Sequence, residues 1–274
     1  MVKPFLKWVG GKTQIINDVL ATFPHEIETY HEPFVGGGSV LLAVLTSDDI
    51  KVKRVCASDN NPHLIAFYKH IQEDPQRLHT IVDELFRAYD QSQSGKKEAF
   101  YYEQREHYRN LPSCIEKSAL LLFLNKTCFR GLYREGPSGF NVPYGHYKKT
   151  PQWPTLEEFT QMQKLLEPVE FRVCDFSEAL AGVASTGDFV YADPPYAQET
   201  KTSFKEYTKN GFDQERLFKE LQKVMFTMSN ANVPCVTEFF KDYTILYIKA
   251  RRAIHSKNPS STTTEVLVTH GDKK

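Results

Sequence analysis

Cysteine is sparse in this chain and poorly placed for a structural role: Cys56, Cys114, Cys128, Cys174 and Cys235 form no CxxC pair and have no histidine nearby at ligand spacing. A disulfide framework and a zinc ribbon are thereby excluded, and reduced thiols with no bound metal are expected. Long apolar runs are missing too. None approaches the roughly 20 residues that span a bilayer, and the opening Met1-Val2-Lys3-Pro4 lacks the apolar core of a secretion signal. An intracellular, cytoplasmic protein is expected, or for a viral source a nuclear or virion-associated one, with no membrane partner. Net charge is absent, since 34 Lys and Arg balance 34 Asp and Glu, which argues against a protein that meets a polyanion with its whole surface. Neither GxGxxG nor GxxxxGK[ST] occurs, which counts against nicotinamide and ATP sites. Internal repeats and low-complexity tracts are also absent.

What is present is an ordinary globular composition, 41% hydrophobic and 13% aromatic over 274 residues, enough for one large core with an insertion. Residues 1 to 61 read as βα units, with apolar runs Tyr30 to Val35 and Val52 to Ala57 ending in Gly or Asn turns and a helix from Val40 to Leu45. From Pro62 to about Asn125 the period becomes helical, with a very apolar helix over Ser118 to Leu124. Cys128 to Pro151, rich in Gly, Pro and Arg, reads as a long loop or hairpin. Strand signals resume at Val169 to Val173, Asp188 to Ala192, Thr244 to Ala250 and Thr264 to Thr269, whereas Leu217 to Phe240 is readable as helix or strand and Ser260 to Thr264 as a mobile polar turn. The expected fold is α/β: a sheet domain of residues 1–61 and 160–274, split by a helical insertion of residues 62–159. Charge clusters despite the neutral total. Lys126, Arg130, Arg134, Lys148 and Lys149 face one acid, Glu135, and Lys249, Arg251, Arg252 and Lys257 form a second group, which suggests a nucleic-acid groove.

Two motifs carry chemistry. The first is Pro33-Phe34-Val35-Gly36-Gly37-Gly38-Ser39, where three glycines follow a strand and precede a helix. Glycine permits positive φ and close approach of a ligand, and such a turn at the carboxyl end of a parallel strand is where a nucleoside cofactor binds. About twenty residues on, Asp59 stands where these folds offer an acid to ribose; it, Asn60 or Asn61 could equally cap the helix opening at Pro62. The second motif is Asp193-Pro194-Pro195-Tyr196. Two prolines end the strand and hold the Asp193 carboxylate and the Pro194 carbonyl rigidly. Two fixed acceptors suit an exocyclic amine, whose delocalised lone pair becomes nucleophilic once its hydrogens are drawn aside. Positioning and electrostatics can carry that reaction without a covalent intermediate, and Tyr196 offers a ring on which an extruded base stacks.

Together these segments closely resemble the Dam family of adenine-specific DNA methyltransferases. The resemblance runs over nearly the whole chain: Pro4 to Lys12, Glu32 to Gly38, Ser58 to Asn61, Asn125 to Tyr133, Phe140 to Gly145, Asp193 to Tyr196 and Ser229-Asn230. The order, glycine motif before recognition insertion before DPPY, is similar to the family's α group. The resemblance implies a Rossmann-like sheet, S-adenosylmethionine as cofactor with S-adenosylhomocysteine as product, and transfer of methyl to adenine N6. It implies cofactor contacts at Trp8, Lys12, Phe34, Val35, Gly36, Gly37, Gly38, Asp59, Asp175, Phe176 and Asp193; the residues themselves suggest only a helix cap at Asp175. It implies duplex-DNA contacts at Lys126, Arg130, Arg134, Asn141, Tyr144, Lys148, Lys149, Arg251 and Arg252, with Arg134 reading guanine and the three lysines, Arg251 and Arg252 meeting phosphates. A GATC target, a cognate restriction endonuclease and a monomeric state are further expectations. Arg130 replaces a small polar residue of the family. Methylation of cytosine N4, RNA or a protein amide is a competing reading, opposed by the paired arginines and by Asp193 in place of asparagine. A DNA-binding module without catalysis is another, opposed by the intact DPPY and glycine motifs.

Overall fold

A computed structural model of the chain describes residues 2–93, 95–184, 186–197, 212–251 and 262–270. In chain order its elements are α1 (Ile16–Leu20), β1 (Glu26–Glu32), α2 (Ser39–Leu45), β2 (Lys51–Asp59), α3 (Pro62–Glu73), α4 (Pro75–Gln91), α5 (Lys97–Asn110) and α6 (Ile115–Thr127). After a 3₁₀ turn at Phe129–Gly131 come β3 (Glu135–Gly136), β4 (Gly139–Phe140), α7 (Leu156–Leu166), β5 (Val169–Val173), α8 (Phe176–Ala181) and β6 (Phe189–Ala192). The chain closes with α9 (Gln214–Leu221), β7 (Phe226–Ala231), α10 (Pro234–Phe239), β8 (Thr244–Arg251) and β9 (Thr262–Thr269). The chain divides into two compact units, one of residues 1–11, 36–42 and 61–173, the other of residues 12–35, 43–60 and 174–274.

The first unit is helical at heart. α6 is buried from Ser118 to Asn125 and so is apolar on every side, as a helix surrounded by others must be. Phe123 collects ring contacts from Phe86, Tyr89 and Phe100 at 5.2 to 5.8 Å. The start of α3 is decided by Asn61, whose side chain accepts from His63 N and Leu64 N while Pro62 occupies the first turn. Of the three candidate caps, Asn61 therefore does the work. Asp74 starts α4 in the same way, again ahead of a proline. The Gly- and Pro-rich segment after α6 does contain a hairpin, β3 against β4, with two cross-strand pairs, Glu135↔Phe140 and Gly136↔Gly139.

In the second unit the strands run in the order β2-β1-β6-β7-β9-β8. β1 pairs parallel with β2 and β6, and β6 with β7, while β9 lies antiparallel between β7 and β8. The α/β sheet expected from the βα punctuation is thus realised with an antiparallel hairpin at one edge. The ambiguous stretch from Leu217 resolves as helix, strand, helix. No glycine makes the first break; instead Lys223 N and Val224 N fold back on Glu220 O and Leu221 O at 3.1 and 3.2 Å, tightening the end of α9 before β7 begins. Thr262 and Thr263, expected in a mobile turn, are instead strand, paired as Thr262↔Arg251 and Thr263↔Ala250. β-branched threonines suit a pleated ladder, a preference outweighed in the sequence reading by their polarity. Residues 260 and 261 lie outside the described set. The core joins α8, α9 and α10 to the sheet through Phe176, Leu217, Phe218, Val236 and Phe240.

Candidate active site

The glycine motif is explained by what packs on it. In the first unit, a Cβ on Gly36 would lie 2.8 Å from Trp8 Cδ1, one on Gly37 2.8 Å from Trp8 Cβ, and one on Gly38 2.8 Å from Tyr68 Oη. Gly36 and Gly38 also hold φ of +47° and +75°, which other residues adopt at a cost. Tyr68 donates its hydroxyl to Gly36 O at 2.8 Å, and Trp8 stacks on Tyr133 at 5.2 Å. The space left by the missing side chains is therefore used by protein rings. Nearby, the buried Asn125 pins the N-terminal segment: its Nδ2 donates to Lys7 O at 2.8 Å and Gly131 O at 3.1 Å, and its Oδ1 accepts from Lys7 N at 2.7 Å.

In the second unit, β1 delivers Phe34 and Val35, and Val35 N donates to Ser58 O at 2.9 Å. Asp59, at the end of β2, is half-buried, and its carbonyl accepts from Cys174 N at 3.3 Å. Asp175 is the cap its sequence position suggests: Oδ1 accepts from Ser177 N at 2.9 Å, while Oδ2 takes Arg216 Nη2 at 2.9 Å. Burial pushes the Asp175 carboxyl up, but the Ser177 hydrogen bonds and Arg216 outweigh it and hold the group below the usual range. Phe34, Phe176 and Phe212 form a triangle with centroids 5.4 to 5.7 Å apart. The Arg216 guanidinium lies 4.3 Å from the Phe176 centroid. Phe212 and Arg216 were not foreseen: they sit 36 and 40 residues beyond Phe176 in sequence, and nothing local marks them.

The Asp193 turn follows β6. Two side chains brace it: Asn230 Oδ1 accepts from Ala197 N at 3.0 Å, and Gln214 Nε2 donates to Pro195 O at 2.5 Å. Asn230 is itself fully buried on β7, and the Tyr191 and Ser229 hydroxyls bond across β6 and β7 at 2.7 Å. Lys12, 3% exposed, places Nζ 2.7 Å from Asp193 Oδ2 and 5.0 Å from the Tyr196 ring centroid. Lys12, a cofactor contact by resemblance, is thereby set on the Asp193 carboxylate. Burial pushes the Asp193 carboxyl above its ordinary range and Lys12 only partly opposes this. Tyr196 donates to Glu265 Oε2 at 2.7 Å. Glu32, 2% exposed, accepts from Tyr30 at 2.6 Å and is driven by burial to a pKa of about 8.

The basic segment belongs to the first unit. Arg134 and Asn141 are paired across the base of the β3–β4 hairpin: Asn141 N donates to Arg134 O at 3.0 Å, and Arg134 Nε to Asn141 Oδ1 at 2.6 Å. Arg130 is exposed with φ 58° and lies 5.1 Å from the Phe129 centroid. Lys148 and Lys149 are exposed, and Lys126 is half-buried, with its pKa lowered by burial and by Lys7. Tyr144 departs from expectation. It is 6% exposed, packs on Tyr101 at 5.5 Å and shares a 2.6 Å hydroxyl contact with Tyr89, so it props the loop from inside instead of presenting its hydroxyl to a ligand. Arg251 is described only as backbone in β8, and Arg252 lies outside the described residues. All five cysteines are free thiols, and no described helix is long and apolar enough to cross a membrane.

Comparison with known proteins adds a family. The model of the family described as D12 class N6 adenine-specific DNA methyltransferase matches residues 8–254. The type II methyltransferase M.MjaIII of Methanocaldococcus jannaschii is 38% identical, over 93% of this chain and 94% of its own. The type II methyltransferase M1.LlaDCHI of Lactococcus lactis subsp. cremoris is 32% identical over 98% and 95%, and a DNA adenine methylase of Haemophilus influenzae 30% over 94% and 89%.

Proposed function

The chain belongs to the D12 class of N6 adenine-specific DNA methyltransferases, and from that premise we propose that the Asp193-Pro194-Pro195-Tyr196 turn holds the target adenine. The enzyme transfers methyl from S-adenosylmethionine to adenine N6 in DNA, at specific sites. The observation that carries the placement is Lys12: Asp193 already holds a nitrogen donor at 2.7 Å beside the Tyr196 ring, so an amino group fits where the ammonium sits. The Asp193 carboxylate and the Pro194 carbonyl accept the two amino hydrogens, which frees the nitrogen lone pair for in-line attack. Tyr196 carries the base removed from the duplex. Pro194 and Pro195 keep the acceptors from relaxing toward the ground-state amine.

The residues of the second unit suit the cofactor's adenosine half. Phe34 and Phe176 offer aromatic faces, Asp175 a carboxylate 41% exposed, and Asp59 a half-buried acid at a strand end. S-adenosylmethionine, when bound, supplies an electrophilic methyl on sulfur and leaves as the neutral thioether S-adenosylhomocysteine. Cofactor contacts by Trp8, Val35 and Gly36 to Gly38 are carried by the resemblance, as are the α-group assignment, a GATC target, a monomeric state and a cognate restriction endonuclease. We read residues 62–159 as the target-recognition insertion and the remainder as catalytic. Arg134, its guanidinium steadied by Asn141, is the reader of guanine, with Arg130 in the same reading segment; Lys126, Lys148, Lys149, Arg251 and Arg252 meet phosphates.

The test is methylation of random-sequence duplex DNA followed by modification-aware sequencing. N6-methyladenine in one short context is expected. Arg134→Ala should broaden or shift that context, whereas Lys149→Ala should weaken binding to all duplexes alike and shallow its salt dependence. Equal losses on cognate and unrelated duplexes for Arg134→Ala would remove its reading role.

A further inference from the structure

Glu265 carries no motif in the sequence, yet its carboxylate is set on a strand fixed from both sides. β9 pairs it with Ala231 of β7 and with Ile248 of β8. From there Oε2 accepts the Tyr196 hydroxyl at 2.7 Å. The other end of the same arrangement is Lys12, over the Tyr196 ring at 5.0 Å and on Asp193 at 2.7 Å. The Tyr196 ring can turn about two side-chain torsions; with its hydroxyl tied to a strand paired on both edges, it cannot swing without breaking a charge-assisted hydrogen bond.

We propose that Glu265 is a positioning residue for methyl transfer, a sheet-borne anchor that fixes the Tyr196 ring against which the target base lies. This rests on the reading that Asp193 to Tyr196 hold that base. The anchor has a second effect through charge. Asp193 is faced by Lys12 from the N-terminal segment, Glu32 from β1, Tyr191 from β6, Tyr196 from its own turn and Glu265 from β9, and the Glu265 charge raises the Asp193 pKa beyond the rise that burial causes. Removing that charge while keeping an acceptor should therefore ease ionisation of Asp193.

The experiment is steady-state methyl transfer from labelled S-adenosylmethionine to a duplex that the parent methylates, followed across pH. Glu265→Ala should lower kcat about 10- to 100-fold with KM for S-adenosylmethionine unchanged. Glu265→Gln, which still accepts a hydrogen bond, should recover kcat to within a few-fold and move the acid limb of the profile to lower pH. Tyr196→Phe should lose as much as Glu265→Ala, and the double variant no more than either alone. Parental kcat in Glu265→Ala, additive losses in the pair, or a Glu265→Gln enzyme as slow as Glu265→Ala with its acid limb unmoved would each overturn the proposal. Should Glu265→Ala fail to fold, Tyr196→Phe leaves the strand intact, and a parental kcat there overturns it equally. Full activity in Asp193→Ala would instead remove the underlying reading of the turn.

Discussion

Asp175 and Asp193 are both aspartates just beyond a strand, and each is paired with one cation, Arg216 at 2.9 Å and Lys12 at 2.7 Å. Their acidities nevertheless move in opposite directions. Burial raises both, but Asp175 is 41% exposed and receives backbone and side-chain hydrogen bonds from Ser177 besides the Arg216 charge, which together depress it. Asp193 is 20% exposed, and the lysine set against its burial leaves it raised. The lesson is that a cation alone does not determine a carboxylate's state; fixed donors do. Asp175 is satisfied by its own fold, whereas Asp193 gains from each further donor, which is the property a substrate amine can exploit.

The sharpest way to break this comparison is to delete each carboxylate. Asp193→Ala should lower kcat on the order of 10³-fold or more. Asp175→Ala should leave kcat within a few-fold and raise KM for S-adenosylmethionine about tenfold. If both variants move the same constant, the division of labour is wrong. A smaller effect tests the support of the turn. Asn230 Oδ1 serves Ala197 N and Ala231 N, so Asn230→Ala leaves buried donors unpaired and should cost about 1–3 kcal/mol in urea unfolding. An unchanged midpoint would show that the turn does not depend on this brace.

A third carboxylate, Glu32, extends the series through the pH dependence it imposes on stability. Burial raises its pKa from 4.5 to about 8, against a partial opposing effect of the Tyr30 hydrogen bond. Between those values the folded protein keeps a proton that the unfolded chain has released. The stability Glu32 contributes is therefore complete below about 4.5 and declines as pH rises toward about 8, by up to about 1.4 kcal/mol per pH unit. Glu32→Gln should flatten that decline in urea melts between pH 5 and 8. Identical slopes in parent and variant would mean that Glu32 is ionised in the fold.

Many element boundaries in both units are legible along the chain because their signals are local. Gly36 to Gly38, Pro62, and Pro194-Pro195 punctuate strands and helices through backbone sterics that need no distant partner. The cap at Asp175 is equally local. Local readings mislead where the partner is remote: Tyr144 is a DNA contact by resemblance, but its hydroxyl meets that of Tyr89, 55 residues earlier, and Thr262 and Thr263 look like a turn until β8 pairs with them.

The sequence by itself determined the strand-turn positions of Asp193 to Tyr196 and of the glycine loop, because φ restriction and missing side chains act within a few residues. Only the tertiary structure decided that Lys12 sits on Asp193, that Trp8 and Tyr68 occupy the room above the glycines, that Arg216 covers Phe176, and that Glu265 ties Tyr196. Those contacts join residues far apart in the chain. They exist because strand pairing, parallel and antiparallel, and helix packing bring such residues together, and no local preference encodes that convergence.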